Sequence, residues 1–336
     1  MVSKILALCD SEEDYLLRMS GFLEKKKIQP FVVKTFTEER KLQKFAEQNK
    51  IELLLIAEKM YRGGKGTYPA AHTFILNESG NKAGENIENI NKYQSSENIL
   101  RAVMDSYISG GAKVPPRIGT GSRMKIIGNY TPVGRCLQTT FALSMGQILA
   151  RKHKTLYLNF ESYSGLGLLL EKEFSADITD VMYYFQCEKE KLSYRLSGIV
   201  QPLNGLDYIP PVLRYSQLAE IAGEQWLQLF REIERATDYE YLILDLSEQM
   251  QGLFDVLREC FRVFTIVRED GIAEAKVRQY EAILREEDYK DIAVKTKKWS
   301  LPVFRRLPAG LDQLTHGELA AYVKKIVEED IYGYEG

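Results

Sequence analysis

One stretch near the middle of the chain joins an apolar run, a short loop and the start of a helix. The apolar run covers 124–128, and Thr139 and Thr140 open an apolar-periodic helix over 141–150. The first N–H groups of a helix lack intrahelical partners, so a loop that leads from a strand into a helix can bind an anion. This order predicts a phosphate-binding loop with the candidate ligand-binding residues Gly134, Arg135, Cys136, Leu137, Gln138, Thr139 and Thr140.

The loop departs from the phosphate-binding template Gly-x-x-x-x-Gly-Lys-Ser/Thr. Pro132 and Leu137 stand at the glycine positions, and Gln138 stands at the lysine position. Thr139 keeps the hydroxyl that would hold Mg²⁺. The side chain of Leu137 would crowd a bound phosphate, and loss of the lysine's charge-assisted contact costs roughly 1.5–3 kcal/mol. We expect a loop that keeps the strand–loop–helix arrangement of a phosphate site but binds phosphate weakly or not at all.

Apolar strands alternate with amphipathic helices in both halves of the chain, which is typical of parallel sheets covered on both faces. The predicted fold class is α/β, with two doubly wound parallel-sheet domains over 1–109 and 123–336 and a Gly/Pro/Ser-rich linker over 110–122. The predicted strands are 4–8, 30–35, 52–57, 72–76, 87–92, 124–128, 154–161, 237–246 and 262–267, and the predicted helices are 12–25, 39–48, 96–108, 141–150 and 272–284.

Composition limits the partners that we expect. The chain has 336 residues, a net charge of −2 and no basic block, so we expect no nucleic-acid partner. It has no apolar run of about 18 residues and no signal-peptide pattern. The amphipathic tail over 319–331 ends in acidic residues, which repel anionic lipid, so we expect no direct membrane anchor. Four cysteines without metal-type spacing indicate reduced thiols in a cytoplasmic protein.

Polar side chains end two predicted strands of the second domain. Asn159 and Glu161 end one strand and Asp245 ends another, so all three would meet at the carboxyl edge of a doubly wound sheet. Asp245 fits an acid that supports Mg²⁺ beside a bound nucleotide, and it fits equally well a strand-end aspartate that caps the next turn. Glu161 is the candidate general base on its strand.

In the first domain, Asp10 follows the first predicted strand, Ala57 ends the third and Lys92 ends the fifth, a pattern that resembles the receiver domain of response regulators. Receivers carry two acids after the first strand, a phosphoacceptor aspartate at the end of the third strand and a lysine after the fifth. Asp10 and Lys92 match this pattern, whereas Cys9 replaces one acid and Ala57 stands at the acceptor position. Glu58 is interpreted as a solvated strand-end residue. The resemblance implies a flavodoxin-type fold without phosphotransfer, that is, a pseudo-receiver that serves as a surface.

The chain joins a pseudo-receiver, a linker and a loop that deviates from the phosphate-binding template, and in this order it resembles the TadZ/CpaE group of the ParA/MinD-type ATPases. The order of pseudo-receiver, linker and deviant loop carries this resemblance, together with four phrases of the sequence. These phrases are Pro132-Val133-Gly134-Arg135, Thr139-Thr140-Phe141-Ala142, the segment 206–211 (LDYIPP) and the segment 267–273 (VREDGIA). ParA/MinD proteins also carry a signature lysine early in the loop, where this chain has Val133.

The resemblance implies a localisation or scaffold protein for a tight-adherence (Flp) pilus or a related secretion apparatus. Such a protein would be a cytoplasmic homodimer with protein partners that recruit it to a pole or to the membrane machine. The alternative is a dimerisation switch that binds ATP, with Mg²⁺ at Thr139 and Asp245, and hydrolyses it slowly or not at all. Whether the chain is an enzyme stays open, because Leu137 and Gln138 replace the Gly-Lys pair.

The dimer contact has a candidate in the loop itself. Pro132, Val133 and Leu137 are apolar and lie beside an anion site that lacks its lysine. Exposed apolar groups favour burial in an interface. We therefore expect these three side chains to form part of a contact that does not depend on nucleotide.

Overall fold

The computed structural model describes residues 4–26, 30–61, 68, 70–79, 87–109 and 123–333. The chain divides into two compact units, Met1–Val114 and Pro115–Gly336. The predicted linker over 110–122 lies outside the described residues, as does the turn predicted at 62–66. The predicted boundary therefore stays a prediction, although the chain divides close to it.

The first unit is a five-stranded parallel sheet of strand order β2-β1-β3-β4-β5. This is the flavodoxin-like order of doubly wound sheets. The strand Ile51–Ala57 is apolar at nearly every position because it pairs on both sides and is covered on both faces. The elements are β1 (Lys4–Cys9), α1 (Glu13–Lys26), β2 (Phe31–Phe36), α2 (Glu39–Ala46), β3 (Ile51–Ala57), β4 (Ala70–Asn77), β5 (Glu88–Asn91) and α3 (Ser96–Ser109).

The second unit is a seven-stranded sheet of order β12-β11-β6-β10-β7-β9-β8, in which only the β8–β9 pair is antiparallel. Its strands are β6 (Lys125–Asn129), β7 (Thr155–Asn159), β8 (Gln201–Leu203), β9 (Leu206–Tyr208), β10 (Tyr241–Asp245), β11 (Arg262–Val267) and β12 (Thr296–Ser300). Its helices are α4 (Gln138–Leu149), α5 (Leu166–Leu169), α6 (Ile178–Cys187), α7 (Leu192–Ile199), α8 (Ser216–Ala219), α9 (Gly223–Ala236), α10 (Leu253–Glu259), α11 (Gly271–Leu284), α12 (Lys290–Lys295) and α13 (Gly317–Ile326).

Strand β10 shows why this sheet needs helices on both faces. Successive side chains of a strand point to opposite faces. Leu242 and Leu244 pack into a cluster that contains Trp226 of α9, whereas Tyr241 and Ile243 pack into a second cluster that contains Phe141 of α4. The predicted fold class, α/β with two doubly wound parallel sheets, is confirmed.

The amphipathic tail packs against the rest of the second unit. Helix α13 continues as a π-helical turn over Val327–Tyr332, and Leu319, Val323 and Ile331 are buried in the cluster that contains α4. This helix therefore buries its apolar face in the core. In the described ranges, no helix is both long and apolar enough to span a membrane.

Candidate functional site

The loop between β6 and α4 borders a cleft of about 600 Å³ at the carboxyl edge of the second unit. All seven loop residues predicted to bind a ligand line this cleft, and so does Glu161. Asp245 ends β10 at the floor of the cleft, where it is fully buried beneath Gln138. The remaining walls come from residues 131–133, Tyr163, residues 246–248 after β10 and Lys276 of α11. The sheet thus brings the predicted loop and both candidate acids together.

The loop backbone keeps the form of an anion site although the template glycines are missing. Arg135 and Leu137 adopt left-handed conformations, with φ of 59° and 66°, which cost non-glycine residues about 1–2 kcal/mol each. The N–H groups of Cys136 and Gln138 approach the Cys136 thiol, and in the described part of the chain the other N–H groups of residues 134–140 donate no hydrogen bond to a protein oxygen. The loop leads into the N-terminus of α4, a helix of twelve residues. The dipole of this helix favours an anion at its N-terminus.

Gln138 is directed away from the loop and onto the buried acid. Its side chain is only 6% exposed. Nε2 lies 2.7 Å from Oδ1 of Asp245, 3.0 Å from the carbonyl oxygen of Leu246 and 3.2 Å from Oε1 of Glu161. An amide whose two N–H groups are shared among three oxygens at the floor of the cleft does not contact a phosphate in the loop. The sequence identified Gln138 as a weak phosphate ligand and missed this role.

The carboxylate of Asp245 is saturated by donors from its neighbours. Oδ2 accepts hydrogen bonds from the hydroxyl of Tyr157 at 2.9 Å and from Nδ2 of Asn159 at 3.0 Å, while Oδ1 accepts from Gln138. Burial raises the pKa of Asp245, and hydrogen bonds from Gln138, Thr139 and Tyr157 oppose this rise. A carboxylate offers about four acceptor positions, and the donors already fill them.

This arrangement does not fit a divalent cation as it stands. A metal at Asp245 would have to displace Gln138 or Tyr157, and Thr139 already interacts with the same carboxylate. Across the described ranges, no group of three or more His, Cys, Asp or Glu side chains is arranged to hold a metal ion. Mg²⁺ at Thr139 and Asp245 on nucleotide binding therefore remains a prediction that requires Gln138 to withdraw.

Three carboxylates share the floor of the cleft. Burial raises the pKa of Glu161 to about 7, and the negative charges of Asp245 and Glu248 add to the rise. Glu248 accepts a hydrogen bond from the hydroxyl of Tyr130 at 3.1 Å. A carboxyl group with a pKa near 7 can exchange a proton at neutral pH, which a general base requires. Glu161 nevertheless contacts Gln138, so its present partner is an amide.

The opposite side of the cleft is basic. Arg135 and Lys276 line the cleft, and neither makes an ion pair with any residue that the structure describes. Two cations beside unpaired N–H groups attract an anion such as a phosphate group. The cleft therefore offers positive charge and N–H donors to an anion, but it lacks the lysine charge and the available acid on which phosphoryl transfer depends.

The expectation that Val133 forms part of an exposed apolar contact is wrong. Its side chain is 5% exposed and packs against Ala273 and Val277 of α11, so it holds the loop to that helix and presents no free surface. Cys136 is also buried, and its thiol donates to the carbonyl oxygen of Val133 at 3.1 Å. Burial raises the pKa of the Cys136 thiol. The loop is thus packed on its inner side.

In the first unit, the predicted receiver residues meet at the carboxyl edge without an acceptor. Ala57 is buried at the end of β3, and Lys92 lies 2.8 Å from Oδ2 of Asp10. Glu58 turns toward the segment after β4, where it accepts hydrogen bonds from the N–H groups of Glu78 and Ser79 at 2.8 and 3.0 Å. Glu58 therefore caps this turn through its carboxylate, whereas we expected a solvated side chain without such a role.

No protein-family model matches the chain, and no curated protein matches it. Solved structures give weak matches. A MinD cell division protein from Aquifex aeolicus is 18% identical, with a TM-score of 0.40, over 52% of this chain and 68% of that one. A putative plasmid partition protein from Borrelia burgdorferi bound to AMPPNP is 13% identical (TM-score 0.43; 64% and 100% covered). A McdA–ATP complex from Cyanothece is 14% identical (TM-score 0.41; 63% and 81% covered). Similarity at this level does not establish a family.

Proposed function

We propose that this chain is a non-hydrolytic localisation or scaffold protein of the ParA/MinD type, similar to TadZ and CpaE, that serves a tight-adherence pilus or a related secretion apparatus through protein partners. The observation that carries the non-hydrolytic part is the 2.7 Å contact from Gln138 to Asp245. Through this contact the neutral amide of Gln138 occupies the carboxylate of Asp245, which ATP hydrolysis would need to be free. The pilus assignment itself rests on the resemblance in sequence.

The charges of the cleft support a site without turnover. Phosphoryl transfer is catalysed mainly by cations and metal ions that stabilise charge on the transferred group. In this cleft the lysine position is neutral, Asp245 has no open acceptor position, and Glu161 and Glu248 add negative charge beside it. Each of these differences raises the barrier to phosphoryl transfer.

Exposed apolar side chains near the cleft support a scaffold. Tyr163 is 84% exposed and lines the cleft, and its ring contacts that of Tyr215 at a centroid distance of 5.9 Å. Leu213, two residues from Tyr215, is 90% exposed. Large apolar side chains that stay in water together are typical of protein-binding surfaces.

Isothermal titration with Mg-ATP tests the proposal. We expect the wild type to bind at least about tenfold more weakly than Leu137→Gly/Gln138→Lys, because the lysine restores roughly 1.5–3 kcal/mol. Gln228→Lys is the matched control, since Gln228 is exposed on α9 and gains the same charge outside the cleft. Sub-micromolar binding by the wild type would overturn the proposal.

A second candidate is an ATP-binding dimerisation switch. The observation that favours it is the loop itself, with N–H groups at 134, 135, 137, 139 and 140 that donate to no oxygen of a described residue, and with the cations Arg135 and Lys276. Sedimentation with and without Mg-ATP separates the two functions. A dimer that is independent of nucleotide supports the scaffold, whereas a dimer that forms only with Mg-ATP replaces the scaffold by the switch.

A further inference from the structure

The cleft of the second unit carries opposite charges on its two sides. The carboxylates of Glu161, Glu248 and Asp245 share its floor. Arg135 of the loop and Lys276 of α11 lie on the other side, exposed and without an ion pair to any described residue. A ligand that fills the cleft therefore meets cations on one side and hydrogen-bond acceptors on the other.

Gln138 adds an acceptor whose hydrogen bond is not made. This residue lines the cleft, and its side chain is buried. Nε2 donates to the carboxylate of Asp245, whereas Oε1 is buried and has no hydrogen-bond partner among the residues that the structure describes. A buried acceptor without a donor is unfavourable, so the floor of the cleft favours a ligand that supplies an N–H or O–H group.

A nucleoside triphosphate matches only the basic side of the cleft. Its phosphate oxygens carry several negative charges, which suit Arg135 and Lys276 but are repelled by Glu161 and Glu248. Mg²⁺ would reduce this repulsion, but Asp245 offers it no open position. A peptide that carries one carboxylate matches both sides, because its backbone N–H groups also supply donors to the floor.

The cleft is bordered by an apolar surface from two neighbouring loops. Tyr163 follows β7 and lines the cleft, Leu213 follows β9, and both side chains are strongly exposed. Strands β7 and β9 are paired, and the rings of Tyr163 and Tyr215 lie 5.9 Å apart. The two loops therefore form one surface, which suits apolar side chains beside a bound carboxylate.

Given the proposed scaffold function, on which this inference rests, we propose that the cleft binds an acidic segment of a protein partner. An Asp or Glu carboxylate of that segment pairs with Arg135 and Lys276, and its apolar neighbours pack on Tyr163 and Leu213. A guanidinium binds a carboxylate through two parallel N–H bonds, and aromatic rings are frequent anchors of protein contacts. Such binding needs no metal ion and leaves Asp245 with its present donors.

Peptide binding by the full chain, measured by fluorescence anisotropy, tests the proposal. A library of short capped peptides with one central Glu between varied apolar residues supplies the binders, and each binder is then remade with Gln. We expect the Glu peptides to bind the wild type on the order of tenfold more tightly than their Gln counterparts. Arg135→Gln/Lys276→Gln should bind both forms equally. Arg278→Gln is the matched control, since it removes an exposed charge of α11 outside the cleft and should keep the preference for Glu.

Tyr163→Ser should weaken Glu and Gln peptides alike, because it removes apolar contact and leaves both cations in place. Lys276→Gln alone replaces the double variant if the latter does not fold, and it should reduce the preference for Glu. The inference is overturned if the variant without both cations keeps the full preference for Glu, or if the library contains no binder. The scaffold function would survive either result. Sub-micromolar binding of Mg-ATP would instead remove the scaffold function, and this inference with it.

Discussion

Replacing Glu161 by glutamine removes one of three carboxylates on the floor of the cleft. The carboxyl group of Glu161 is partly buried beside Asp245 and Glu248, and its pKa rises from 4.5 to about 7, first because of burial and then because of these two charges. Glutamine keeps an oxygen that accepts from Nε2 of Gln138, which lies 3.2 Å away. The substitution therefore removes the charge and preserves the hydrogen bond.

The size and sign of the effect follow from proton linkage. Between pH 4.5 and about 7 the folded state holds a proton on Glu161 that the unfolded state has lost, so stability falls as the pH rises through this window. The full rise in pKa corresponds to about 3 kcal/mol, at about 1.36 kcal/mol for each pKa unit. Partial exposure allows solvent screening, so we expect about 2 kcal/mol. Below this window Glu161 is protonated in both the folded and the unfolded state. It then contributes nothing to the difference in stability between the wild type and Glu161→Gln.

The assay is the free energy of unfolding in urea at pH 5 and pH 8. We expect Glu161→Gln to be nearly as stable as the wild type at pH 5 and about 2 kcal/mol more stable at pH 8. Glu220→Gln is the matched control, because Glu220 is exposed and makes no ion pair with a described residue, and it should show no such gap. Equal stability of wild type and Glu161→Gln at both pH values would refute the electrostatic account of the cleft.

Three further substitutions or treatments have defined outcomes. Trp226→Ala should destabilise the second unit by about 3–5 kcal/mol in urea unfolding, because Trp226 is fully buried in its core; a loss below about 1 kcal/mol would contradict this packing. Asp177→Ala should cost about 1 kcal/mol, because Asp177 caps α6 through the N–H of Thr179 at 2.7 Å, and a neutral effect on unfolding would rule out the cap. Acetyl phosphate should leave the intact mass unchanged, because Ala57 stands at the acceptor position; one added phosphoryl group on the first unit would show the reverse.

Strands and long helices could be predicted from the sequence because their patterns are local. The apolar run at β3 and the periodic helix α11 appear within one residue of their predicted bounds, and the apolar run at β10 appears within four. The meeting of Asn159 and Asp245 was also predictable, since parallel strands present their carboxyl ends at one edge, and the two side chains lie 3.0 Å apart.

Two edge elements were missed for different reasons. The β8–β9 hairpin turns at Asn204 and Gly205, both with positive φ, and an Asn-Gly pair is a strong hairpin signal, but the flanking strands have only three residues each and show no apolar run. Strand β12 reads TKKWS, which is polar because it lies at an edge and pairs only with β11. Polar edge strands carry little of the apolar pattern on which strand prediction depends.

The orientation of Gln138 could not be predicted from its residue type. The first residue of a helix can direct its side chain toward a ligand or toward the sheet, and the choice depends on the acceptors at the end of β10. One signal was available in the sequence. A buried aspartate needs donors, and a neutral amide at the lysine position is the group that can supply them from the loop.

The most direct test of a cleft without turnover is Mg-dependent ATP hydrolysis by the full chain at neutral pH. The account predicts that the wild type releases phosphate no faster than Glu161→Gln, because Gln138 and Tyr157 hold Asp245 and no lysine charge reaches the loop. Phosphate release that the wild type catalyses and that Glu161→Gln abolishes would contradict it.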